Sequence, residues 1–228
     1  RAVDIVGKVV WEQNTSFVLV AIPMFIFMGE LLFQSGIMST VYLRAATVVS
    51  GIPGGLLQAN ITACTIFAAC SGSSVASAAT IGSVGYPEIS KRNYSKPIAL
   101  GSIAAGGTLG ILIPPSIIFI VYGSLAEVSI GKLFLAGVLP GLALSALYSL
   151  YIMARCLADP SLAPRESRVS PIERVRAAFG LWQMALLIVV VLGGIYGGIA
   201  SPTEVAALGA SLAILIALAS GKFSLAAL

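Results

Sequence analysis

The chain has 228 residues, of which 58% are apolar and 10% charged, with a formal net charge of +4; a soluble domain carries about a quarter of its residues as charges. This composition excludes an ordinary soluble protein. The 13 cations are scattered between apolar stretches, which argues against nucleic-acid binding and makes them reporters of topology. A bilayer-spanning helix needs about 20 largely apolar residues, and residues 97–126, 133–154 and 177–203 each run without a charge. The fold class expected is therefore an all-α, polytopic membrane protein. Cys64, Cys70 and Cys156 form no CxxC pair and there is no histidine, so the thiols read as packing groups, with no metal or disulfide site and no cofactor expected. The sequence opens at Arg1 with no initiator methionine and no signal-peptide pattern, and both ends read as cut from a longer chain.

A first span is expected over 16–35, followed by a shorter, more amphipathic segment over 36–55 that carries Arg44. From 45 to 87 there is no charge, but the middle of that stretch is the polar, small cluster Ser71-Gly72-Ser73-Ser74. The arms on either side, 56–70 and 75–89, have about 15 residues each and reach about 22 Å as helices, short of the roughly 30 Å hydrocarbon core. Residues 56–89 therefore read as a re-entrant helical hairpin, with two short spans as the other reading. A broken helix is expected over 97–124. Gly106-Gly107-Thr108-Leu109-Gly110 and then Pro114-Pro115-Ser116 interrupt it; the two prolines remove two amide donors and push the preceding residues out of the α region. A clean span follows over 133–154, then a polar loop over 156–180. A final pair of helices, 181–199 and 204–220, is joined by Ala200-Ser201-Pro202-Thr203.

Assigning loops to alternate sides puts Arg44, Lys91, Arg92, Lys96, Arg155, Arg165, Arg168, Arg174, Arg176 and Lys222 on one side and Arg1, Lys8 and Lys132 on the other. The positive-inside rule makes the richer side cytoplasmic. The hairpin then enters from the cytoplasm, and the loop before Lys132 faces outward.

Two interrupted helices in consecutive membrane segments suit a transport site. Unwound carbonyls and helix C-termini coordinate a cation such as sodium, and helix N-termini favour an anionic substrate. The candidate sodium-binding residues are Ser71, Gly72, Ser73, Ser74, Gly106, Gly107, Thr108 and Gly110. Pro114, Pro115 and Ser116 are candidates for substrate contact or for the geometry of the break. The competing reading is that small residues, including the Gly106/Gly110 and Gly193/Gly197 pairs, only let helices approach closely. Glu30 lies in an apolar run, where a carboxylate is a candidate for cation binding or proton relay; a structural ion pair with Arg44 or a capping role is the plainer reading. Glu204 reads as a first-turn capping carboxylate. An intramembrane serine hydrolase would need a base, and with no histidine and no lysine inside a span none is visible. No phosphate-binding GxxxxGK[ST] loop occurs, so catalysis and ATP hydrolysis give way to transport.

The run Ala21-Ile22-Pro23-Met24-Phe25-Ile26-Phe27-Met28-Gly29-Glu30-Leu31-Leu32, the tip Ser71-Gly72-Ser73-Ser74-Val75-Ala76, and Gly110-Ile111-Leu112-Ile113-Pro114-Pro115-Ser116 resemble the large membrane subunit, DctM type, of tripartite ATP-independent periplasmic (TRAP) transporters. Ser129-Ile130-Gly131-Lys132-Leu133-Phe134-Leu135-Ala136-Gly137 and Ser201-Pro202-Thr203-Glu204 fit the same family, so the resemblance covers nearly the whole chain. It implies sodium-driven uptake of an organic acid such as a dicarboxylate in the bacterial inner membrane. The implied partners are a small membrane subunit and a periplasmic substrate-binding protein. It also implies an elevator-type transporter of two inverted repeats. In that frame residues 1–155 form the first repeat, 156–180 a cytoplasmic loop and 181–228 the opening helices of a second, incomplete repeat. The alternatives are an anion or ion transporter of related fold that needs no binding protein, and a membrane scaffold without its own site.

Overall fold

The computed structural model describes residues 7, 8, 11, 15–164 and 169–221. Of the cations used to orient the chain, Arg1, Arg165, Arg168 and Lys222 lie outside the described residues. The described residues are helical throughout, without strands: α1 (Ala21–Gln34), extended backwards by a 3₁₀ turn (Phe17–Val20), α2 (Ile37–Val48), α3 (Leu56–Ser71), α4 (Ser74–Ser90), α5 (Lys96–Leu112), α6 (Ile117–Leu125), α7 (Ile130–Ala158), α8 (Pro171–Phe179), α9 (Trp182–Tyr196) and α10 (Pro202–Ala219).

Local chemistry sets the boundaries. Gly36 turns the chain between α1 and α2 at a φ of 68°, a left-handed conformation that glycine adopts without a Cβ clash. The Ser129 hydroxyl accepts the Lys132 amide at the start of α7. Both α8 and α10 begin with proline at the first helical position behind a reciprocal capping box, Ser170 with Glu173 and Ser201 with Glu204. Each box satisfies two amides that a helix start leaves without partners. The capping role read for Glu204 is what the structure shows.

By length and composition, Phe17–Gln34, Lys96–Leu125, Ile130–Ala158 and Pro202–Ala219 could each cross a membrane, and α8 with α9 qualifies only as a pair bent by 44°. The arm α3 is apolar but shorter. Pro87 in α4 and Pro140 in α7 sit inside helices, a placement that membrane helices tolerate when neighbours satisfy the freed carbonyl.

Two cores hold the bundle. One joins α1 to α9 and α10 through Phe25, Met28, Leu32, Leu187, Val191, Val205 and Ala213. There Gly209 approaches so closely that a Cβ on it would lie 2.8 Å from the Met28 sulfur. The other joins α2, α3, α5 and α7 through Tyr42, Leu57, Ile61, Cys64, Leu109 and Ile152. Buried polar side chains tie this second core together. Tyr42 donates its hydroxyl to Asn60 Oδ1 (3.0 Å), and Asn60 Nδ2 donates to Ser102 Oγ (2.8 Å). Gln58 Nε2 donates to the Ser149 carbonyl (2.9 Å), the Ser149 hydroxyl donates back to Gln58 Oε1 (2.5 Å), and the Thr65 and Ser145 hydroxyls meet at 2.7 Å. Inside a bilayer, where water supplies no substitute, such pairs fix which helix faces lie together.

The loops sort onto two ends. Arg155 and Ser95 line one cavity, Arg92 and Thr47 a second, and Arg44, Arg176 and Thr47 a third. At the other end Ser16, Glu127, Ser129, Gly131 and Pro202 line a common cleft. The segment expected as a polar loop over 156–180 contains a 3₁₀ turn (Pro160–Leu162) and α8. The capping box and the apolar residues within its nine positions make that stretch a helix despite its charges.

Candidate ion and substrate site

The hairpin tip is a single tight turn. Helix α3 ends at Ser71, Gly72 takes a φ of 62°, and Ser73 is the N-cap of α4, its hydroxyl accepting the Ala76 amide at 3.3 Å. Serine at this position supplies the oxygen that a new helix start requires. The Ser77 hydroxyl donates to the Ser73 carbonyl (2.8 Å) and lies 3.3 Å from Ser71 Oγ. Ser71 is 1% exposed and Ser77 fully buried, so this hydroxyl cluster faces protein.

The break in the second helix lies at residues 113–116. Pro114 and Pro115 have no amide to offer the carbonyls of Gly110 and Ile111, which would be their partners one turn back. The Ser116 hydroxyl fills one of these places by donating to the Ile111 carbonyl at 2.6 Å, while Ser116 itself is fully buried. The Gly110 carbonyl is left without a helical donor. The expectation of unwound backbone at Gly106–Gly110 is corrected here, because α5 runs as regular helix to Leu112. The glycines serve contact instead. A Cβ on Gly106 would meet the Cys64 sulfur at 2.8 Å, one on Gly107 would meet Ala78 at 2.7 Å, and one on Gly110 would meet the Ser73 carbonyl group at 2.7 Å.

The two interruptions touch. The Ile117 amide, first in α6, donates to the Gly72 carbonyl (3.2 Å), and a Cβ on Gly72 would fall 2.5 Å from the Pro115 carbonyl oxygen. From a third side α1 closes in, with a Cβ on Gly29 only 2.9 Å from that of Ser71. The C-terminal ends of α3 and α5, rich in carbonyl oxygen, and the N-terminal ends of α4 and α6, with amides directed outward, thus meet in one place. Helix C-termini carry about half a negative charge and N-termini about half a positive one, so a hard cation and an anion each find a complementary end. Serine hydroxyls and carbonyls are oxygen donors of the kind sodium takes.

Of the residues singled out from sequence, Ser71, Gly72, Ser73, Ser74, Gly110, Pro114, Pro115 and Ser116 are brought together. Gly106 and Gly107 lie further down the α5 contact with α3 and α4. Thr108 points elsewhere: it is exposed, and its hydroxyl donates to the Ala105 carbonyl (2.7 Å) and meets the Tyr148 hydroxyl at 3.1 Å. Glu30 is exposed, and its carboxylate accepts Gln34 Nε2 at 2.6 Å. The ion pair with Arg44 is not formed, because the Arg44 guanidinium donates to the Gly180 carbonyl between α8 and α9. Sequence reasoning missed Gly29 and the buried Tyr42, Asn60 and Ser102 chain behind the hairpin. An intramembrane Asn60 four residues into an apolar arm was the available signal.

An apolar bundle, all-helical among the described residues and with several helices long and apolar enough to cross a bilayer, defines a polytopic membrane protein. The chain matches the family model described as the tripartite ATP-independent periplasmic transporter, DctM component, over residues 1–228, and it belongs to that family. It is 42% identical over 203 residues to the C4-dicarboxylate TRAP transporter large permease protein DctM of Vibrio cholerae, covering 88% of this chain and 44% of that protein. Its identity to the protein of the same name from Pseudomonas aeruginosa is 40% over 210 residues, 91% of this chain and 48% of the relative. The ectoine/5-hydroxyectoine TRAP transporter large permease protein UehC of Ruegeria pomeroyi is 40% identical over 190 residues, 83% and 44% of the two chains. The chain spans about half the length of these curated relatives.

Proposed function

We propose that this chain is the first transport repeat, with the opening helices of the second, of a sodium-coupled permease for an organic acid. In this reading a periplasmic binding protein delivers the acid and a small membrane subunit assists. The observation that carries the reading is the contact of the hairpin tip with the helix break, Gly72 against Pro115 and Ile117, which gathers four helix ends and a serine cluster. The sodium ion binds to Ser71, Ser73 or Ser74 oxygens together with carbonyls at the ends of α3 and α5, among which Gly110 is the one that proline deprives of a donor. The carboxylate of the substrate lies toward the N-terminal ends of α4 and α6, where amides and the dipole favour an anion.

The hairpin is re-entrant, entering from the cytoplasmic side: α3 and α4, of 16 and 17 residues, reach about 25 Å, and the tip is enclosed by protein as backbone at membrane depth must be. Close glycine contacts between α5 and both hairpin arms let the hairpin and broken helix move as one block, as an elevator mechanism requires. Relatives named for C4-dicarboxylates and for ectoine support a small organic acid or zwitterion bearing a carboxylate.

Uptake by the full-length protein, reconstituted with both partners, tests the proposal. The expected result is accumulation driven by an inward sodium gradient and abolished by removing the binding protein. Sodium-driven uptake without the binding protein would assign the chain to a transporter of another type, and no uptake under any gradient would make it a scaffold.

A further inference from the structure

Helix α8 exposes an apolar stripe that the transport site does not use. Ile172, Val175 and Phe179 are 73%, 56% and 76% exposed, at the three-and-four-residue spacing that puts them on one helix face. The same spacing continues across the bend into α9 through Trp182, Leu186 and Val189, all exposed. On α9 this is the lipid-facing side of a span. Charges fall at Glu173, Arg174 and Arg176, whereas residues 177–203 run without one, so the apolar span begins at the C-terminal end of α8 and the 44° bend between α8 and α9 falls at the depth of the membrane boundary, marked by Trp182 as interfacial aromatic residues mark it.

The opposite side of α8 packs on α2, where the Arg44 guanidinium donates to the Gly180 carbonyl and holds the bend. At 100° per residue Arg176 falls at the edge of the apolar stripe, and it lines a cleft of about 520 Å³ with Arg44, Thr47 and Glu173. Glu173 Oε2 accepts the Ser170 amide within the capping box, so the carboxylate is engaged locally.

We propose that α8 is an interfacial anchor that lies in the headgroup layer of an anionic leaflet, with Ile172, Val175 and Phe179 entering the acyl boundary and Arg176 facing lipid phosphate. Two observations select lipid as the occupant. The stripe continues in register from a lipid-facing span, and the basic residues beside it complement an anionic surface. By holding the α8–α9 bend against α2, the anchor couples the membrane surface to the helix that leads into the hairpin.

The test uses the full-length protein in liposomes, with a bimane fluorophore on Val175→Cys, on Phe179→Cys and, as a water-facing reference, on Lys91→Cys, whose side chain is 69% exposed. Phospholipid brominated near the headgroup should quench the labels at 175 and 179 more than the label at 91, and aqueous iodide should do the reverse. Brominated phosphatidylglycerol should quench the 179 label at about fivefold lower mole fraction than brominated phosphatidylcholine, the effect of one basic residue near an anionic surface. Arg176→Gln should remove that preference. Iodide reaching 175 and 179 as freely as 91 would place α8 in water, and quenching by neither reagent would place it under protein. Either result overturns the proposal, as does equal quenching by the two lipids with Arg176 intact. None of these outcomes depends on sodium coupling.

Discussion

Two of the serine-bearing turns between helices do opposite things. At Ser201 the cap closes on itself, even though Thr203 beside it donates to the Phe17 carbonyl at 3.1 Å: the Ser201 hydroxyl donates to Glu204 Oε2 at 2.7 Å, the Ser201 amide donates to the same oxygen at 2.7 Å, and both residues are exposed. At Ser71–Ser74 the turn is completed by another part of the chain. Its Gly72 carbonyl takes the amide of Ile117, and its glycine has no room for a side chain because Pro115 stands there. A self-satisfied cap needs only local sequence, whereas a tip that borrows its partners from a second interrupted helix leaves polar groups arranged around a shared point. The difference lies in tertiary contact, not in residue type.

The contrast breaks most sharply at the glycines. Gly72→Ala forces a side chain into left-handed backbone and onto a carbonyl oxygen 2.5 Å away. It should destabilise the full-length protein by about 2 to 4 kcal/mol, as strain and overpacking add. Gly193→Ala, with nothing within 4 Å of the new Cβ, should stay within about 0.5 kcal/mol. Thermal unfolding of both variants in detergent measures this, and equal effects would mean that the tip is not held by the break.

A smaller effect separates the serines. Ser116→Ala removes the donor to the Ile111 carbonyl inside fully buried surroundings and should cost about 1 to 3 kcal/mol. Ser201→Ala removes an exposed cap and should cost about 1 kcal/mol. The order of the two thermal midpoints is the test, with Ser116→Ala melting lower.

Much of this architecture is legible in the sequence because it follows from local rules. The hairpin arms emerge within a residue or two of their observed bounds, since a run without charge interrupted by Ser71-Gly72-Ser73-Ser74 has one place to turn. The break at 113–116 follows from two prolines that cannot donate. Other features depend on what lies across the interface. Gly106, Gly107 and Gly110 look like helix breakers in isolation, yet each lies in regular helix, and glycine is needed there because a neighbour occupies the space a side chain would take. The partner of Arg44 is 136 positions away, beyond any spacing rule, so the nearer Glu30 is the natural but mistaken choice. Helix α8 was legible in principle, for Ser170 and Glu173 form a capping-box pattern, but the charges around it read as a loop.

The central claim is that sodium binds where the hairpin tip meets the helix break, and the most direct measurement is the sodium dependence of uptake by the full-length, reconstituted protein carrying Ser73→Ala or Ser74→Ala. The account predicts a higher sodium concentration for half-maximal uptake in both variants, by on the order of tenfold for the loss of one oxygen ligand worth about 1.4 kcal/mol, with membrane insertion unchanged. Sodium dependence identical to that of the unmodified protein in both variants would contradict it.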